Sequence, residues 1–273
     1  MKKNRAQSGQ VVLITLLVLT IATTVALSLI ARTTTDTTIT AQVEESSRAF
    51  SAAEAGIEQS LKSGIGANGI VVAANVSYNF TVNSIGGAVG GYEFSKKTLK
   101  GDTETLWLVA HDSNGVPIVT TPTYTASYVD ICWSSETVTP VLLATLLYKE
   151  SSNSTYQVAK ALLSTPAEVP NGCGPTGTAY KQTIGFKFLN SLAFPLSIAP
   201  ESDILIALRI RPLYSDTKIA INAEGTLPQQ GNHIESTGST TTGTNRKIVV
   251  VQQYRSADTV FDAALYSQGD VSQ

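Results

Sequence analysis

Charge is scarce in this chain, and the side chains that usually carry chemistry are scarcer still. Asp, Glu, Lys and Arg make up 15% of the 273 residues, and the formal net charge is −2. That balance offers no basic footprint for a phosphate backbone, so no nucleic acid contact is expected. The chain has two histidines, His111 and His233, and two cysteines, Cys132 and Cys173. Neither histidine has a Cys or a second His near it, and the cysteines stand too far apart for zinc-ligand spacing. No G-x-S-x-G, H-E-x-x-H or P-loop occurs. Gly64-Ile65-Gly66-Ala67-Asn68-Gly69 matches G-x-G-x-x-G literally, but it follows a helical pattern and opens a strand, the reverse of a dinucleotide site. Asp112-Ser113-Asn114-Gly115 lacks the remaining ligands of a calcium loop and reads as a turn. The expectation is no catalytic residue, no metal, no cofactor and no enzymatic activity.

One charge-free stretch is also strongly apolar. Val11 to Ala31 is an unbroken apolar run, preceded by Lys2, Lys3 and Arg5. A run of this length, about 21 residues, crosses a hydrocarbon core of ~30 Å as a helix. The basic tip places the N-terminus in the cytoplasm and everything after the run on the far side of the membrane. A secretory signal peptide has a shorter apolar core and a small-residue cleavage site after it, which Ala31-Arg32-Thr33-Thr34 is not. Two readings remain. One is a plain anchor, and the other is a signal cut on the cytoplasmic side after a glycine, here Ser8-Gly9 followed by Gln10-Val11-Val12-Leu13-Ile14.

Proline is missing from Gln10 to Lys62, and the helical pattern continues past the apolar run. Ile39, Val43, Phe50, Ile57 and Leu61 recur at steps of four and seven, with Ala53 on the same side. Glu44 with Arg48, and Glu58 with Lys62, are acid-before-base pairs one turn apart. The pattern predicts one helix of roughly fifty residues, about 75–80 Å long, ended by Gly64-Ile65-Gly66. Lipid or other helices would cover its first half. The stripe of the second half would lie partly on the protein's own sheet, with Phe50, Ile57 and Leu61 the more covered.

Two segments carry a resemblance. Ser8 to Leu17 resembles the cleavage junction of type IV pilins and pseudopilins. Arg48-Ala49-Phe50-Ser51-Ala52-Ala53-Glu54-Ala55-Gly56-Ile57-Glu58 resembles the A-F-x-A-A-E-A-G-I-E stretch of their large minor members, to which the chain is most similar. The tail, Ile234 to Gly238 and Arg246 to Val251, is similar too. The resemblance implies cleavage between Gly9 and Gln10 by a prepilin peptidase, with methylation of the new N-terminus. It implies assembly with other pilin subunits through Val11, Val12, Leu13, Ile14, Leu16, Leu17, Phe50, Glu54 and Ile57. Two positions depart from the family: Gln10 stands where Phe or Met is usual, and Ile14 where a glutamate is usual. That glutamate is thought to set register against a neighbour's N-terminal amine, so its absence argues for a minor, tip-type subunit over a bulk one.

The remainder is rich in Thr, Ser, Val, Ile and Tyr, which favours strands. Apolar runs alternate with turn signals, among them 70–82, 105–110, 128–133, 141–149, 156–163, 182–188, 204–211, 218–223 and 247–254. Ile204 to Leu208 is apolar on both faces, as in a central strand. Asp112 to Gly115 and Glu150 to Asn153 read as hairpin turns. Strands without intervening helices predict two packed sheets. Tyr124, Tyr128, Trp133, Tyr148 and Tyr156 are expected to pack in the core or across strands rather than form an adhesive surface. Across a membrane, Cys132 and Cys173 can oxidise, closing a loop of about 40 residues and adding roughly 3–4 kcal/mol; the alternative is two unpaired thiols.

The expected fold is therefore α+β: a long N-terminal helix with a membrane half and an amphipathic half, then a β-rich, sandwich-like domain. The expected boundaries are a leader at 1–9, helix halves at 10–31 and 32–63, and the extracytoplasmic β domain at 64–273, with a sub-boundary near 86–91. The expected function is a pilin-like structural subunit of a type IV pilus or a related secretion or uptake filament, with the membrane, other subunits, the prepilin peptidase and the assembly machinery as partners. The alternative is a single-pass membrane-anchored adhesin or carbohydrate-binding module that forms no filament. What surface ligand the β domain would take is not legible.

Overall fold

With no proline to stop it, helix α1 runs unbroken over Ser8–Ser63, 56 residues. Threonines along it return their hydroxyls to carbonyls one turn back, as Thr24 Oγ1 does to Ile21 O at 2.8 Å and Thr34 Oγ1 to Ile30 O at 2.8 Å. The apolar half therefore holds these polar groups at no hydrogen-bonding cost. Gly64 closes the helix in the left-handed conformation at φ 68°, with its N–H on the Ser60 carbonyl at 2.8 Å, the usual glycine stop.

The computed structural model describes residues 8–87, 89–134, 137–164, 167–168, 179–186 and 198–260. After α1 come β1 (Ala67–Ala73), β2 (Val76–Gly86), β3 (Val89–Glu93), β4 (Glu104–Trp107), β5 (Tyr128–Trp133), β6 (Val141–Lys149) and β7 (Tyr156–Leu163). They continue as β8 (Ala167–Glu168), β9 (Tyr180–Gly185), β10 (Ile204–Leu213), β11 (Ile219–Thr226), β12 (Gln229–Thr240) and β13 (Asn245–Gln253). They form three antiparallel sheets, ordered β1-β2-β12-β13, β4-β10-β6-β7 and β3-β11-β5-β9-β8. The class is α+β, one long helix followed by a β-rich body.

The chain divides into two compact units, Met1–Val82 with Ile234–Val250, and Asn83–His233 with Val251–Gln273. The first break falls just ahead of the glycine-rich stretch at 86–91. The return of 234–250 to the helix-bearing unit is a long-range event that no local composition signals.

The larger unit is a sandwich. Leu106, Leu142, Leu146, Leu208 and Ile210 of one sheet meet Val129, Ile131, Trp133, Ile184 and Ile221 of the other in one core. β10 lies between β4 and β6 and is buried on both faces, since Ile204, Ile206 and Ala207 join a second cluster with Val109. Trp133 satisfies its indole N–H on the Pro140 carbonyl at 3.1 Å. Both predicted turns form. Asp112 Oδ1 accepts the N–H groups of Asn114 and Val116 at 2.8 and 2.9 Å, and Glu150 N–H donates to Thr155 O at 2.9 Å where β6 returns as β7.

In the helix-bearing unit, the face of α1 laid on the sheet is made of small residues. Ala49, Ala52, Ala53 and Ser60 are buried, with Gly56 among them. A Cβ placed on Gly238 of β12 would overlap the Ala49 carbonyl oxygen and stand 2.6 Å from Ala53 N. A Cβ on Gly56 would overlap Ser236 Oγ and reach within 3.0 Å of the Tyr78 ring. Helix and strand backbones thus approach as closely as they can, and only side chains of one carbon or none fit between. Val76, Tyr78 and Phe80 of β2 pack beside Ala52 and complete this core. Within the stripe Phe50, Ile57 and Leu61 are the more covered, as expected, but by little: Phe50 and Leu61 are 47% and 49% exposed against 52% and 63% for Ile39 and Val43, and only Ile57 is half-buried. Large side chains on the sheet-facing side would hold the backbones apart.

Two strand assignments also change. The run 70–82 is a hairpin, β1 and β2, turned at Ala74-Asn75 with Asn75 at φ 67°. β12 went unpredicted because its sequence, QQGNHIESTGST, has one large apolar residue. Of its buried positions, Gln230, Gly231, Ile234, Ser236, Gly238 and Thr240, all but Ile234 are small or polar.

Gly238→Ala is expected to destabilise the helix-bearing unit by roughly 1–3 kcal/mol, since backbone atoms on both sides cannot give way. Gly56→Ala should cost less, because the Ser236 hydroxyl can rotate. Thermal unfolding of the full chain in detergent checks the order.

Candidate functional site

The helix is the element that most invites a partner. It is long and apolar enough to cross a membrane, with a mean hydropathy of 2.5 over its most apolar window and none of that window buried. Gln10 is exposed and lies in the first turns, since α1 already includes Ser8 and Gly9. Val11, Val12, Leu13, Ile14, Leu16 and Leu17 are all more than half exposed, Leu13 the most at 68%. Burying one such side chain is worth about 1.5–3 kcal/mol, so this half cannot rest in water.

Beyond the membrane-length half the exposed apolar stripe continues through Ile39, Val43, Phe50 and Leu61. Glu54 is exposed as well. The two long faces of this half therefore differ in kind. A stripe of small residues lies on the sheet, and beside it, past Ala53, a stripe of large apolar residues lies mostly open. Between α1 and the β1–β2 hairpin, a groove of about 320 Å³ is lined by Ser47, Arg48 and Ser51 of α1 and by Val72, Ala73 and Val76 of the hairpin. Arg48 at its rim pairs with Glu44 at 2.6 Å, as the sequence spacing suggested.

The helix is latched to the β12–β13 hairpin by polar contacts. Thr242 Oγ1 donates to Glu45 Oε2 at 2.8 Å, and Arg246 Nε donates to Ser46 Oγ at 2.8 Å. The Thr242 hydroxyl, followed by that of Thr240, holds the Glu45 carboxyl below its ordinary range. The small-residue face itself was the feature that sequence reading missed. Its signal was present as small side chains at Ala49, Ala52, Ala53, Gly56 and Ser60, but a search for large apolar residues passes over them.

The other candidate residues stay dispersed. His111 stacks on Tyr254 with ring centroids 3.9 Å apart and meets Trp107 edge-on at 4.7 Å. Burial lowers its pKa. No cluster of three or more His, Cys, Asp or Glu residues suited to a metal occurs among the described residues. Cys132 is buried on β5 and disulfide-bonded; Cys173, expected as its partner, lies outside the described residues. Tyr124, Trp133 and Tyr148 are core residues, while Tyr156 is 53% exposed. Gly64 of the G-x-G-x-x-G match caps the helix, and Gly69 sits within β1.

Phe50→Ser is expected to change stability by less than about 0.5 kcal/mol, whereas Ala53→Leu should cost roughly 1–3 kcal/mol. Chemical denaturation of the two variants separates the faces. The depressed Glu45 pKa adds stability that is present above the ordinary carboxylate value and lost as pH falls from there through the lowered one. Glu45→Gln should therefore reduce the acid sensitivity of the melting temperature, read by melting from neutral to acidic pH.

No family model, curated protein or solved structure matches the chain.

Proposed function

We propose that the protein is a pilin-like structural subunit built for assembly, a minor member of a type IV pilus or related secretion or uptake filament. It begins as a single-pass membrane protein with a cytoplasmic N-terminus and an extracytoplasmic β domain. A prepilin peptidase cuts between Gly9 and Gln10, and α1 then leaves the bilayer to pack with the helices of other subunits.

The observation that carries this reading is the asymmetry of α1. A helix that served only as a stalk would need no apolar surface beyond the membrane-length half. Here the second half commits its small-residue face to its own sheet and leaves Ile39, Val43, Phe50 and Leu61 exposed on the flank next to it. Such a stripe is stable only against another apolar surface. Ile14, at the position where the family carries glutamate, removes the register-setting ion pair and supports a minor position over a bulk one.

Co-expression with an active prepilin peptidase, followed by N-terminal sequencing, tests the reading. The expected product begins at Gln10 and is lost in Gly9→Val. A full-length chain that persists beside an active peptidase would contradict it and leave the membrane-anchored adhesin.

A further inference from the structure

Among the described residues, three other than glycine have a positive φ: Asn75 at 67°, Ser154 at 58° and Tyr214 at 72°. Asn75 and Ser154 occupy hairpin turns, and Asn in particular is common in this conformation. Tyr214 is different. It follows β10 directly, and its side chain crowds the backbone in a conformation that glycine adopts freely. A strained residue is normally held by burial of its side chain, yet Tyr214 is 67% exposed. The ring is thus displayed at a cost to the fold and without a packing return.

The loop that bears Tyr214 is stapled to the loop between β3 and β4. Thr98 and Thr217 exchange backbone hydrogen bonds at 2.8 and 3.0 Å, and Gly101 N–H donates to Pro212 O at 3.0 Å. Lys100 N–H donates to Asp216 Oδ1 at 2.8 Å. These bonds make the two loops one platform. Leu99 stands 56% exposed on it, and Lys96, Lys97, Lys100 and Lys218 are exposed around it. The acids there are partly engaged. Asp216 takes the Lys100 N–H, and Glu104 accepts from Thr98 Oγ1 at 3.3 Å while burial raises its pKa. Asp102 is the exposed acid.

We propose that this platform binds an acidic polysaccharide. An outward ring offers a flat apolar face to the C–H face of a sugar, and ammonium groups beside it meet the carboxylates or sulfates repeated along such a polymer. An anionic bilayer fits less well, because Leu99 and Tyr214 alone bury too little apolar area for insertion. The inference rests on the extracytoplasmic placement of the β domain, but its test does not depend on cleavage at Gly9, so either can fail alone.

The full-length protein in detergent micelles is measured against immobilised alginate, with neutral dextran and phosphatidylglycerol vesicles as comparisons. The expected result is retention on alginate that weakens with added salt and is absent on dextran. Tyr214→Gly should bind about tenfold more weakly while melting no lower than the parent chain, because it relieves the strain. The double variant K96E/K100E should also lose binding, and Lys62→Glu on the helix should keep it. Equal retention on dextran, binding to vesicles without alginate, unchanged binding by Tyr214→Gly, or a lower melting temperature for that variant would each overturn the proposal.

Discussion

The helix-bearing unit depends on one close approach of backbones. Gly238 of β12 lies directly beneath the Ala49–Ala53 turn of α1, and Gly56 lies over Ser236. Because neither contact leaves room for a methyl group, the approach fixes the position of the helix along the strand as well as its distance from it. Sliding α1 by one turn along β12 would set Glu45 or Ile57 beside Gly238 and force the elements apart. Tyr78 and Phe80 then fill the wedge beside Ala52, and the Glu45–Thr242 and Ser46–Arg246 bonds close the far end. Dispersion between closely packed backbones supplies the attraction that larger side chains provide elsewhere.

This arrangement divides the labour of the helix by face. A side that packs through Ala, Gly and Ser leaves the large apolar side chains free to point elsewhere, and they point outward. An amphipathic helix normally hides its large residues against its own domain; α1 does the opposite. Together with an N-terminal half exposed all round, that inversion is the physical basis for proposing assembly through the helix. The sandwich of the other unit has its own core around Trp133, Leu146 and Leu208.

Much of this was legible from residue patterns. The absence of proline and charge foretold α1, Gly64 foretold its end, and alternating apolar runs placed β5, β6, β7 and β10 almost to the residue. What escaped did so for physical reasons. β12 is polar and glycine-bearing, so its strand propensity is low, and its burial depends on a helix nearly two hundred residues away, as the Thr242–Glu45 bond spans 197 positions. β3 is formed from the glycine-rich stretch that reads as a boundary. The small-residue contact of α1 escaped because hydrophobicity ranks Phe50 and Leu61 above alanine, whereas backbone approach selects alanine and glycine. Tyr214 carries no sequence signal, since only its φ sets it apart.

The division of faces can be read directly by attaching a nitroxide spin label at residue 50 and comparing the full-length protein in micelles with the assembled state. The predicted result is a mobile label in the isolated subunit that becomes immobilised on assembly. A label already immobile in the isolated subunit, or still mobile after assembly, would contradict the claim that the large apolar face of α1 is held open for a neighbour.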